Sequence, residues 1–156
     1  LRDLFPHVWS SIGVRNAFKG YSHDQQKRMF DERDQLSKRR FKYAVAHIRV
    51  LLQGIELLRE GDFSVAIKEN YYWADYNTDL SVPVASETDN DGIIIEVSWI
   101  DLLRRVRDGK IVIGQVVDVA EYLKHELDMA YEYNPNKQTN MEPVNEFLLK
   151  VRKEFW

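Results

Sequence analysis

Apolar residues recur at three- and four-residue steps through the middle of the chain: Phe41, Ala44, Val45, Ile48, Leu51, Leu52, Ile55 and Leu58. That spacing lines one side of an α-helix, so a long helix over residues 38–60 is predicted, with this stripe facing a core. Ser37 can accept a bond from the first orphan amides. Gly61 follows the last periodic residue, where a left-handed cap is easiest for glycine. Gly54 interrupts the stripe at a cost of about 1 kcal/mol relative to alanine, and its missing side chain leaves room for a close neighbour.

The flanks are read in the same way. Leu4, Phe5, Val8, Trp9 and Ile12 form a short helical pattern, with Pro6 in its first turn. Ser22 and Gln25 make a Ser-x-x-Gln capping box, which predicts a helix from there to about Leu36, anchored by Met29 and Phe30. Phe63 to Ile67 alternates like a half-buried strand. Pro83 argues for an edge strand or loop over Leu80 to Val84. Asp89-Asn90-Asp91-Gly92 is a turn signal, and Ile93 to Val97 is rich in β-branched residues. Helices are predicted over Trp99 to Asp108, closed by Gly109, over Gln115 to Tyr133, and from Pro143 to Phe155. Ile111 to Ile113 reads as an extended piece and Asn134 to Asn140 as a loop.

The expected fold is therefore mainly α with a small antiparallel β insertion (α+β): a helical bundle packed around the helix at 38–60, with a hairpin-like insertion at 63–97. The 156 residues suit one domain, 1–156, with a sizeable core. An apolar opening at Leu1, without a methionine, predicts that the natural chain extends upstream. No apolar run approaches the roughly 18 residues that cross a bilayer, and no membrane partner is expected. The absence of cysteine excludes disulfides and zinc-thiolate sites and fits a cytoplasmic location.

Charge changes this picture more than composition does. The net charge is −3, but Lys19 to Arg49 holds nine Lys or Arg against four acids, so the segment is +5 and the remainder −8. Such a field can attract a phosphate-bearing ligand, or it can be a solvated helical face.

Complete catalytic motifs do not appear. Asp89 and Asp91 form Asp-x-Asp, a weak metal candidate, but no Gly-Ser pair lies upstream and Gly92 favours a surface turn. Glu96 has only proximity to recommend it as a third carboxylate. His7, His23, His47 and His125 lack a metal-ligand spacing, and the seven glycines form no phosphate loop. Tyr71, Tyr72, Trp73 and Tyr76 can stack bases, or equally cover a core.

The stretch KYAVAHIRVLLQGIELLREGDFSV resembles the C-terminal region of predicted nucleotidyltransferases of the DNA polymerase β superfamily, found in bacteria and many phages. AFKGYSHDQQKRM is similar to that family's Phe-x-Gly-Tyr-x-x-x-Gln segment. WIDLLRRVRDGKIVIGQVVDVAEYLKHELDMAY and EPVNEFLLKVRKEFW resemble its later helices. The resemblance implies that this chain is the accessory, substrate-facing part of an enzyme that moves a nucleoside monophosphate from a nucleoside triphosphate with Mg2+. The Gly-Ser and Asp-x-Asp core would then lie in an upstream catalytic domain of the same chain, leaving no catalytic residue here.

The resemblance carries over onto Lys42, His47 and Arg49, with Lys38 and Arg39 beside them as phosphate-binding candidates. Lys42 and Arg49 are seven residues apart and share a helical face. His47 points elsewhere and is as readily a packing residue. The alternative is a non-catalytic module that binds nucleic acid or protein through the basic helix and the aromatic segment.

Overall fold

In the computed structural model, residues 2–31, 38–61, 67, 86–88, 94–96 and 99–155 are described. The long periodic stripe forms a helix over Arg39–Glu60 (α3). Ahead of it lie a short helix, Phe5–Val8 (α1), and a long one, Ser11–Met29 (α2); after it come Trp99–Arg107 (α4), Ile113–Tyr133 (α5) and Glu142–Phe155 (α6).

α3 occupies the centre because two of its sides are apolar. Ala44, Ile48, Leu51, Leu52, Ile55 and Leu58 are buried as expected, and His47, Gly54 and Leu57 are buried as well. α2, α5 and α4 all pack against it. α5 contributes Val116, Val119, Ala120, Leu123, Leu127 and Ala130, the stripe predicted from its sequence, and α4 contributes Leu102 and Val106. Gly61 closes α3 at φ 70°, its N–H donating to the Leu57 carbonyl. Gly109 ends α4 in the same left-handed region, φ 72°.

Gly54 has a specific neighbour. A Cβ there would meet Phe18 Cγ at 2.9 Å and Leu127 Cδ1 at 3.0 Å. The phenyl ring of α2 therefore lies against bare α3 backbone, and the propensity cost of glycine is set against that close approach.

The α+β expectation is corrected: the fold is all-helical. Every buried apolar residue among those described lies on a helix, and the β insertion expected over 63–97 is not a layer of the fold. Within that range, three-residue segments 86–88 and 94–96 pair antiparallel, Ser86 opposite Glu96, a local pairing too short to form an insertion. The edge segment Leu80 to Val84, the strand expected at Phe63 to Ile67 except for Ile67 itself, and the Ser37 cap fall outside the described residues.

Two helix starts are also corrected. α2 begins at Ser11 and runs unbroken past Ser22, so Ser22 and Gln25 are not a cap. The cap is Ser10, whose hydroxyl accepts from Gly13 N at 3.2 Å. The Ser22 hydroxyl has a tertiary partner instead, and that partner removes it from the competition for backbone amides. α5 begins at Ile113, so the extended piece expected at 111–113 is shorter. Gln115 Oε1 accepts from Val112 N at 3.3 Å and satisfies an orphan donor at that start.

Asn134 locks the far end. Its Nδ2 donates to the Leu58 carbonyl at 2.5 Å, and its Oδ1 accepts from Asn136 N at 2.8 Å. Asn136 Nδ2 in turn donates to the carbonyls of Pro6 and Trp9, and its own carbonyl accepts from Ser11 N at 2.7 Å. The loop after α5 thus ties the last turn of α3 to the joint between α1 and α2. Among the described residues, no helix is long and apolar enough to cross a membrane.

Candidate functional site

The candidate residues of α3 divide between two directions. Lys38, Arg39, Lys42 and Arg49 are exposed, whereas His47 is fully buried. The helical period explains the division: Lys42 and Arg49 lie on the side opposite the Ile48 to Ile55 stripe, and His47 lies with Gly54 on the side that α2 covers.

His47 sits in a polar seam. Its Nδ1 lies 2.8 Å from the Ser22 hydroxyl, both groups buried, and its Nε2 has no hydrogen-bond partner among the described residues. Burial lowers its pKa from 6.5 to about 4, with the Lys124 ammonium acting in the same direction and the Ser22 bond opposing it. Lys124 Nζ donates to Gln26 Oε1 at 3.2 Å and to Glu121 Oε1 at 2.7 Å at the edge of the seam. The imidazole is therefore neutral at pH 7 and closed off from an external phosphate.

The exposed cations have company from elsewhere in the chain. Gly109 abuts the Phe41 ring, a Cβ on it meeting Phe41 Cζ at 3.1 Å. This contact sets the last turn of α4 beside the first turn of α3. Arg40 lies over the same ring, 4.8 Å from its centroid. Residues 38–42 and 101–110 together carry eight Lys or Arg and two Asp, a net of +6. Arg104, Arg107 and Lys110 are exposed and Arg105 half-exposed. Asp101 bonds Arg104 at 3.1 Å, and Asp108 lies 3.7 Å from Arg107.

Arg104, Arg105, Arg107 and Lys110 were not among the sequence candidates. Their signal is local and plain, Arg-Arg-x-Arg-x-x-Lys at the end of a helix. Its meaning depends on a contact between residues 41 and 109 that no local pattern reports.

The charged cluster around Asp128 is internally compensated. Asp128 on α5 accepts from Arg15 Nε at 2.5 Å and from Lys19 Nζ at 2.7 Å. Burial works against its ionisation, but the bonds from Lys19 and Arg15 prevail and its pKa is lowered. A groove of about 350 Å³ between the ends of α3 and α5 is lined by Leu58, Met129, Tyr133 and Pro135, and its Arg59 is bonded to Glu126 at 2.5 Å.

Among the described residues, no three His, Asp or Glu side chains converge to hold a metal. Asp89, Asp91 and the aromatic run Tyr71, Tyr72, Trp73 and Tyr76 lie outside the described residues. No family model matches the chain, and neither a curated protein nor a solved structure proves similar to it.

Proposed function

We propose that this chain is a non-catalytic binding module that holds the phosphate backbone of a single-stranded nucleic acid on the basic surface shared by α3 and α4. The carrying observation is the Gly109–Phe41 contact, which sets the end of α4 beside the start of α3, two segments whose combined formal charge is +6. Arginine and lysine in such density meet successive phosphates and release condensed counterions. His47 takes no part, because it is buried and neutral.

The resemblance to nucleotidyltransferases supports a second reading through the same surface. In it, Lys42 and Arg49 meet phosphates of the nucleotide or acceptor, while an upstream domain supplies the carboxylates, Mg2+ and NTP chemistry. Their shared outward face on α3 favours it.

Titration of a fluorescent single-stranded oligonucleotide at about 50 and 200 mM salt tests the first reading. Binding that weakens steeply with salt is the expected result. Absence of binding at the lower salt rejects the nucleic-acid role.

A further inference from the structure

We propose that Tyr21 of α2 is a stacking platform for the bases of the single strand whose phosphates α3 and α4 hold. This inference rests on the phosphate-binding reading and deepens it, by naming the residue that engages bases rather than backbone.

Consecutive residues of α3 point in three directions. Phe41 meets Gly109 at the end of α4, Tyr43 meets α2 with the Arg28 guanidinium 6.0 Å from its ring centroid, and Lys42 between them is exposed. Successive residues of an α-helix are turned by about 100°. An exposed strip of α3 carrying Lys42 and Arg49 therefore runs between α4 on one flank and α2 on the other. α3 carries no acid before Glu56.

The two flanks differ in chemistry. The α4 flank is basic, whereas the α2 flank presents an aromatic ring. Tyr21 is 53 % exposed and lies seven residues before Arg28, on the same side of α2. The two helices run antiparallel: Phe18 lies against Gly54, Ser22 bonds His47, and Arg28 covers Tyr43. Between the first two of these contacts, Tyr21 comes level with Arg49. The ring thus stands at the border of the basic strip.

Asp24, the one acid of α2, shares that side with Tyr21 and Arg28. Its carboxylate repels phosphate. A strand laid along the strip therefore turns its backbone to Lys42 and Arg49 and its neutral bases to α2. Every base offers a π-face to a tyrosine ring, so the contact adds affinity without sequence preference.

Equilibrium binding of two fluorescent strands of about 12 nucleotides tests the platform. One strand is all thymidine; the other is fully abasic and keeps only the sugar-phosphate backbone. Each is titrated with the whole chain at about 50 and 200 mM salt. The parent is expected to bind the thymidine strand at least about fivefold more tightly than the abasic one. Tyr21→Ala should lose that advantage, with its affinity for the abasic strand and both salt slopes unchanged. Tyr21→Trp should keep it, because the larger ring restores the stack. A Tyr21→Ala variant that matches the parent on both strands, or weakens both equally, overturns the platform and leaves the phosphate surface standing. A parent that binds neither strand at the lower salt rejects the phosphate surface, and the platform with it.

Discussion

The Nδ1 of His47 lies 2.8 Å from the hydroxyl of Ser22, in the buried seam between α2 and α3. This pair replaces two local roles with one tertiary one. Ser22 does not cap a helix, and His47 is turned to Ser22 and away from solvent. A protonated imidazole would present two N–H donors where one acceptor is in place, close to the Lys124 ammonium, with Glu121 and His23 exerting smaller and opposite influences.

The seam makes stability depend on pH. His47 has a folded pKa of about 4 against 6.5 unfolded, so between those values the unfolded chain binds the extra proton. Stability is therefore complete above about pH 6.5 and falls as pH drops towards 4. A loss of about 2 kcal/mol from this group is expected between pH 7 and pH 5. Urea unfolding of the parent and of His47→Gln at the two pH values measures it. The variant should be less stable at pH 7 but should lose less on acidification. Equal losses in both proteins would remove His47 as the cause.

Gly54 should resist enlargement. Alanine gains about 1 kcal/mol of helix propensity but drives its Cβ into the Phe18 ring, and overpacking costs about 1–3 kcal/mol. Gly54→Ala is expected to lower stability in denaturant unfolding, and Gly54→Ala with Phe18→Leu to recover part of the loss. A stabilised Gly54→Ala would mean that the ring yields freely.

Asn134 should matter more than a loop residue usually does. Asn134→Ala leaves the Leu58 carbonyl and the Asn136 amide without their partners and should cost about 1–3 kcal/mol. Asn134→Asp keeps the acceptor but turns a carboxylate towards the Leu58 carbonyl, so it should fare no better. Chemical denaturation of both variants checks the order.

These residues also show what local sequence carries. The apolar stripe of α5 was readable residue by residue, because a helical face is a periodic property of consecutive positions. The left-handed ends at Gly61 and Gly109 were readable for a similar reason: the conformation belongs to one residue. Ser22 was misread because a Ser-x-x-Gln spacing looks the same at a helix start and inside a helix, and only His47, 25 positions on, distinguishes them. The α+β class was misread because β-branched content at 93–97 is a propensity, and tertiary packing decides whether it becomes a layer. For the site, the cations of α3 were readable as a charged run. Their union with Arg107 and Lys110 was not, since it depends on Phe41 meeting Gly109 across 68 positions.

That union is tested most directly by salt-dependent binding of a fluorescent single-stranded oligonucleotide to two double charge-reversal variants and one single-site control. Lys38→Glu with Lys42→Glu alters the α3 side, Arg107→Glu with Lys110→Glu the α4 side, and Lys150→Glu serves as a distant control. If the two helix ends form one phosphate-binding surface, both pairs weaken binding at low salt by about tenfold or more. Each also lowers the slope of log K against log salt by roughly 1.4, the equivalent of two lost phosphate contacts, and the control changes neither. Binding that survives the α4 pair with its salt slope intact would contradict a shared surface.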